Sequence, residues 1–196
     1  MDVVRYIAMI SPTLVSNDVA VQLSTAEELS LSENARMFAL LNMAIADASI
    51  AVFESKYFYN FWRPVTAIRN ADLDGNPRTT PDPNFLTFLN TPPYPSYPSG
   101  AGGLNNAGTY VLERYFGSGG HSITLSDPVL PGITLKYTRM RQLTDDIADA
   151  RVYAGIHFRF EQEAAELLGR RVARYVYNNN LQCTQAEACE DSVDDE

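Results

Sequence analysis

Cysteine, histidine and positive charge are all scarce in this chain. Two cysteines, Cys183 and Cys189, fall in the last fifteen of 196 residues. Two thiols so close to one end exclude a disulfide-built scaffold and are too few for a structural zinc site. They leave either a small disulfide loop or two free thiols in the tail. Fifteen basic residues stand against 24 acidic ones, for a net charge of -9. That balance argues against nucleic acid or an anionic membrane as the main partner. No apolar run approaches the length of a membrane span. The opening Met1–Ile10 carries Asp2 and Arg5 and lacks a basic segment, a long apolar core and a small-residue cleavage site, so it does not read as a signal peptide. No internal repeat is visible.

What is present is an ordinary globular composition, 45% hydrophobic and long enough to bury a core. The acidity is unevenly placed. Glu187, Glu190, Asp191, Asp194, Asp195 and Glu196 close the chain with no base among them, and taking those six charges from -9 leaves -3 for the body. The expected division is a lead-in over 1–30, a helical domain over 31–181 and a disordered acidic tail over 182–196.

Ser30 and Glu33 have the spacing of a capping box, and a long helix is expected over about 31–57. Ala35, Phe38, Asn42, Ile45, Ser49, Val52 and Phe53 mark its stripe at helical spacing, and the apolar Leu40, Leu41, Met43 and Ala44 suggest packing on more than one side. Pro64 breaks the helix. From Asn70 to Tyr97 the chain is rich in Pro, Asp, Asn, Gly and Thr, and reads as a long ordered loop with one short helical piece at Pro83–Asn90. Gly102–Phe116 reads as a helix stopped by Gly117. Ser118–Leu135 is turn-rich and hairpin-like, and Lys136–Gly155 and His157–Asn179 are the last two helices. Four main helices with long connections predict an all-α bundle.

Three segments carry residues suited to chemistry. Lys56 ends an apolar helix, and Arg63 sits in an aromatic run of Tyr57, Phe58, Tyr59, Phe61 and Trp62. Cations in such a run snorkel outward, stack on a ring or serve a buried anion. Ser99 precedes a helix, where it is a plain cap or part of an anion site with the free backbone amides of the helix start. Arg151 and His157 are six residues apart and so about 240° apart on one helix; they converge only if the helix breaks, and Gly155 offers the break. His157 and Glu161, four apart, share a face, so the carboxylate can accept one imidazole N–H and fix the tautomer. The only other histidine, His121, lies in a glycine-rich loop. Two arginines, a lysine, a hydroxyl, helix-start amides and one imidazole together suit an oxyanion.

The trio resembles the acid phosphatase and vanadium-dependent haloperoxidase superfamily, also called type 2 phosphatidic acid phosphatases. That pattern runs K-x6-R-P, then P-S-G-H, then S-R-x5-H-x3-D. Here it reads Lys56-x6-Arg63-Pro64, Pro98-Ser99-Gly100 and Arg151-x5-His157, in order and with the same internal spacing. The long loop before Pro98 and the Phe61-Trp62-Arg63-Pro64 run look more like the soluble haloperoxidase branch than the membrane lipid phosphatases. The resemblance covers about Ser30 to Tyr177. It implies a haloperoxidase-type helical bundle in which Lys56, Arg63, Ser99, Gly100 and Arg151 hold vanadate, or phosphate in its place. His157 is implied as the axial metal ligand or as the nucleophile of a phosphatase. The implied partners are small molecules: peroxide and halide, or a phosphate ester. Tyr94 and Phe53 line the substrate pocket by analogy, with core packing as the other reading.

Three positions depart from the pattern. Ala101 stands where the family has its acid–base histidine, Ala150 replaces the serine before the arginine, and Glu161 replaces the aspartate. The open alternatives are a stand-in group such as His121, an impaired enzyme, or an oxyanion-binding relative without turnover. Soluble haloperoxidases of this kind carry two four-helix bundles, so a chain of this length resembles the catalytic half. A truncated product, a fragment or a homo-oligomer is the expected consequence.

Overall fold

The chain was analysed as a computed structural model, which describes residues 2–182. The expected acidic tail and both cysteines lie outside the described residues, apart from Gln182. Seven α-helices and one β-hairpin are present among them: α1 (Asp2–Met9), α2 (Pro12–Ala26), α3 (Leu31–Tyr59), α4 (Pro64–Arg69), α5 (Gly100–Phe116), β1 (Gly119–Ser126), β2 (Thr134–Arg139), α6 (Met140–Tyr153) and α7 (Arg159–Asn179).

Helix α3 starts where the capping box predicts. The Glu33 amide donates to Ser30 Oγ at 3.3 Å, and the Ser30 amide donates to Glu33 Oε2 at 2.7 Å. The helix runs to Tyr59 and ends on Asn60 in the left-handed conformation. Its buried stripe is Met37, Leu40, Leu41, Ala44, Ile45, Ala48, Val52 and Lys56. This corrects the expected stripe: Ala35 and Phe53 are exposed, as are Met43, Ile50 and Tyr57 on the opposite face. Apolar side chains occupy most of the circumference, so periodicity alone could not select the buried side. By length and composition α3 would pass for a membrane span, but its inner face is the centre of the bundle, packed on α5 and α7. Burying one leucine there, such as Leu40, contributes about 1.5–3 kcal/mol.

Helices α5 and α7 cross closely. A Cβ on Gly169 would collide with the carbonyl oxygen of Gly103 and lie 3.1 Å from the Ala107 amide, so only glycine allows this approach. Residues 2–26, expected as a lead-in, supply Val4, Tyr6, Ile7, Val15, Val19, Ala20 and Leu23 to the core. Helix α2 lies on α5, β1 and α3, and α1 lies on α6.

Three boundaries differ from expectation. The segment Pro83–Asn90 is not helical; the short helical pieces come earlier, as α4 and a 3₁₀ turn at Ala71–Leu73. Pro64 starts α4 because the first helical position has no acceptor for the N–H it lacks. The hairpin reaches Arg139, pairing Ile123 with Tyr137 and Leu125 with Leu135, so α6 begins at Met140 rather than Lys136. Burying Ile123 and Leu125 against the core outweighs the helical pattern of this segment. Helix α7 begins at Arg159, leaving His157 on the connection before it.

Candidate functional site

The three segments meet at the N-terminal end of α5. Lys56, in the last turn of α3, is fully buried. Its ammonium donates to three backbone carbonyls of the loop leading to α5: Pro95 at 3.1 Å, Ser96 at 2.8 Å and Pro98 at 2.6 Å. An ammonium has three protons, so all of them are engaged. Burial drives the Lys56 pKa down to about 7; Arg63 and Arg151 push the same way and Glu161 opposes them.

Arg63, the residue before α4, is 5% exposed. Its Nε donates to Tyr94 O at 3.0 Å, and Nη1 donates to Ile156 O at 2.8 Å and lies 3.2 Å from His157 Nε2. Burial also lowers its pKa. The Tyr94 ring sits under both cations, 5.3 Å from Lys56 Nζ and 5.1 Å from Arg63 Cζ, and 5.4 Å from the Phe53 ring. The expected pair of lining aromatics is therefore together, with Tyr94 half-buried against the cations and Phe53 outermost.

The break between α6 and α7 is where Gly155 predicted it. This residue has φ +75°, which a side chain rarely adopts, and the turn ends α6 after Arg151 and lets the chain reach His157 outside the helix. Arg151 lies close enough to Arg63 for mutual repulsion, and burial lowers its pKa. Its Nε is buried without a hydrogen-bond partner.

His157 and Glu161 meet as expected but not on one helix face. His157 precedes the N-cap Phe158, and Glu161 is the third helical residue. Glu161 reaches back to the Phe158 amide at 3.0 Å, as in a capping box, and the same Oε2 accepts His157 Nδ1 at 2.6 Å. With the proton on Nδ1, the Nε2 lone pair faces Arg63. Burial holds the imidazole neutral, its pKa lowered to about 4, with Arg63 and Lys56 assisting and Glu161 opposing.

Ser99 caps α5: its Oγ accepts the Gly102 amide at 3.2 Å, leaving the hydroxyl proton free to donate. Its own amide donates to Glu161 O at 3.2 Å, pinning the start of α5 to α7. The amides of Gly100 and Ala101, in the first turn, have no acceptor within the helix. Ala150 is buried in the core, 2% exposed, so its position holds packing rather than a polar contact.

His121 is not a stand-in for the residue missing at Ala101. It lies on β1 with Nε2 2.9 Å from Gly117 O, beyond the far end of α5. Seventeen residues of helix separate the two ends, or about 25 Å. Sequence reasoning missed Ser96, whose Oγ donates to Glu161 Oε2 at 2.8 Å. It also missed the carbonyls that hold Lys56 and Arg63, because backbone groups leave no mark on composition.

The donor set fits a tetrahedral oxyanion. Arg63, the Ser99 hydroxyl and the first-turn amides of α5 flank Lys56, whose own protons are held by carbonyls, and the Arg151 Nε lacks a partner. The one carboxylate, Glu161, is occupied by His157, Ser96 and Phe158 at its Oε2. Among the described residues no group of three or more His, Cys, Asp or Glu gathers to hold a bare cation.

Fold and site together define a helical-bundle domain of the vanadium haloperoxidase kind. The chain belongs to the family described as the VCPO second helical-bundle domain, whose model matches residues 36–186. It is 35% identical to the vanadium chloroperoxidase of Curvularia inaequalis over half of this chain and 18% of that protein. It superposes on the first bacterial vanadium-dependent iodoperoxidase with a TM-score of 0.78 and 26% identity, covering 90% of this chain and 43% of that one. A holo-type bacterial vanadium-dependent chloroperoxidase has the same fold, with TM-score 0.67, 20% identity, and 90% and 46% coverage. The chain thus spans less than half the length of these relatives.

Proposed function

We propose that this chain binds vanadate, with phosphate able to take its place, and acts as a vanadium-dependent haloperoxidase-like protein of low intrinsic activity. The observation that carries this reading is the neutral His157, whose Nε2 lone pair opens toward Arg63 in a cradle where Arg151 Nε is unpartnered. Lys56, Arg63, Ser99, Gly100 and Arg151 would hold the oxyanion and His157 would ligate the metal. Bound vanadate supplies Lewis-acid activation of hydrogen peroxide toward halide.

The protein's part is positional. Glu161 retains the Nδ1 proton and so reserves Nε2 for the ligand. Arg63 Nη1, 3.2 Å from Nε2, would turn from the imidazole to the oxyanion as the ligand takes up that lone pair. Ser99 donates its free hydroxyl proton, while its Oγ is steadied by Gly102. Tyr94 screens the cations from water on one side. At Ala101 the proton-transfer step has no side chain, and loss of such a group costs about 10²–10⁴-fold.

The test is vanadate binding by calorimetry, paired with bromination of a phenol in the presence of vanadate, bromide and peroxide. Vanadate binds, and Ala101→His raises the bromination rate by about 10²–10⁴-fold. Absence of vanadate binding overturns the reading. A second reading is favoured by the same Nε2 lone pair: in-line attack on the phosphorus of a phosphate monoester held by the cradle, with the ester P–O bond breaking to release an aryloxide and water then hydrolysing the phosphohistidine. It predicts hydrolysis of activated aryl phosphates, abolished in His157→Ala. Binding without either reaction would leave a non-catalytic oxyanion-binding protein, the outcome to which Ala101 lends support.

A further inference from the structure

Ser96 lies in the proline-rich loop before α5 and is fully buried, 0% exposed. Each of its polar groups is committed to a different part of the cradle. Its amide donates to Phe61 O at 2.9 Å, beside Arg63. Its carbonyl accepts Lys56 Nζ at 2.8 Å. Its hydroxyl donates to Glu161 Oε2 at 2.8 Å and stands 3.4 Å from His157 Nδ1. One residue thus ties the Lys56–Arg63 segment to the His157–Glu161 segment.

The hydroxyl bond is the one with a chemical consequence. A carboxylate on a side chain with three rotatable bonds turns freely unless both its position and its plane are held. The Phe158 amide holds Glu161 Oε2 from the helix start, and Ser96 Oγ holds it from the loop. The other oxygen, Oε1, is buried with no partner and supplies no restraint. Two anchors on Oε2 leave that oxygen facing His157 Nδ1 at 2.6 Å. Remove the hydroxyl and one of the two anchors is lost, so the carboxylate can turn out of the imidazole plane. The imidazole then loses its fixed acceptor, and the Nδ1–H tautomer, which Arg63 also favours from the Nε2 side, loses part of its energetic lead.

We propose that Ser96 is a positioning residue: through Glu161 it keeps the proton of His157 on Nδ1 and the lone pair of Nε2 aimed into the oxyanion cradle. The role rests on the reading of His157 as the ligand, and it concerns a side chain that acts through two others.

The test compares the wild type with Ser96→Ala, which deletes the hydroxyl but retains the amide and carbonyl contacts to Phe61 and Lys56. Nitrogen-15 NMR of the imidazoles reports the tautomer directly, in protein free of vanadate, with His121 as an internal reference. The wild type shows a protonated Nδ1 and an unprotonated Nε2 at His157. Ser96→Ala shows averaged shifts at that ring alone, and its vanadate affinity by calorimetry falls about 10–100-fold. In a Glu161→Ala background, which leaves no side-chain oxygen for the hydroxyl to hold, the further change from Ser96→Ala is expected to vanish.

A single Nδ1–H tautomer in Ser96→Ala, with vanadate affinity within twofold of wild type, overturns the proposal. If circular dichroism shows that Ser96→Ala does not fold, Ser96→Cys decides the matter. It keeps the volume and offers only a weak donor, so partial averaging with lowered affinity supports the role, and wild-type shifts and affinity overturn it. If the wild type itself binds no vanadate, the functional reading fails, while the tautomer comparison still decides what Ser96 does.

Discussion

At Lys56 and His157 burial acts on protonation in the same sense: both bases are driven toward their neutral forms, to pKa values of about 7 and about 4 against ordinary values of 10.5 and 6.5. The consequence for stability has a definite sign. Between the folded and unfolded pKa of each group, the unfolded chain holds the extra proton, so raising the pH favours the fold. For His157 this window runs from pH 4 to 6.5, and for Lys56 from pH 7 to 10.5. Each contribution is fully present above its window and lost as the pH falls through the folded pKa. Urea unfolding in anion-free buffer is therefore expected to show Lys56-dependent stability rising from pH 7 to pH 9. In Lys56→Met that component of the rise disappears. A variant with the same pH slope as wild type would show that Lys56 keeps its proton throughout. Ser96 illustrates what single residues hide. In sequence it is one more small polar residue between prolines, and the partner that gives it meaning, Glu161, is 65 positions away.

Among the elements, the α5–α7 contact bears most directly on the site, because α5 begins with the cradle's amides and α7 follows the cradle's imidazole. The crossing depends on Gly169 against Gly103 and Ala107. Gly169→Ala is expected to force the helices apart and cost about 1–3 kcal/mol of stability, measured by urea unfolding. Oxyanion affinity should fall with it, since Ser99 N bonds Glu161 O across the same contact. An unchanged midpoint would mean that α7 shifts without loss.

Elements were legible in the sequence to the extent that local rules governed them. The capping box at Ser30, the stop at Gly117 and the break at Gly155 are backbone rules satisfied within a few residues, and each appears where expected. The three motif segments were legible because their spacing is a resemblance to a known pattern. What failed was set by distant contacts. The buried side of α3 is chosen by α5 and α7, not by α3 itself. The start of α6 is chosen by pairing of β2 with β1. The acceptors of Lys56 are carbonyls of a loop 39–42 residues downstream.

For the whole molecule, a net charge of -9 coexists with three clustered, largely desolvated cations. Such a cluster is costly until an anion joins it. Phosphate or vanadate at a hundredfold excess over Kd should stabilise the fold by about 2.7 kcal/mol. In a chain of this size that is a rise in Tm of about 5–10 °C, read by differential scanning fluorimetry. Arg63→Ala should abolish the shift. No rise in the wild type at millimolar anion would count against the cradle as an oxyanion site.

The three carbonyls around Lys56 bear on which anions can enter. The ammonium is already solvated from within, by Pro95, Ser96 and Pro98. An arriving anion therefore competes with dipoles held in place rather than with loose water. A chloride ion, a single sphere with no separate acceptor atoms, offers little beyond what the carbonyls provide. A tetrahedral oxyanion such as vanadate or phosphate presents several oxygens in three dimensions, enough to draw the ammonium partly away and to engage both arginines at once. The proline-rich loop thus sets how much an entering anion must offer before Lys56 turns toward it.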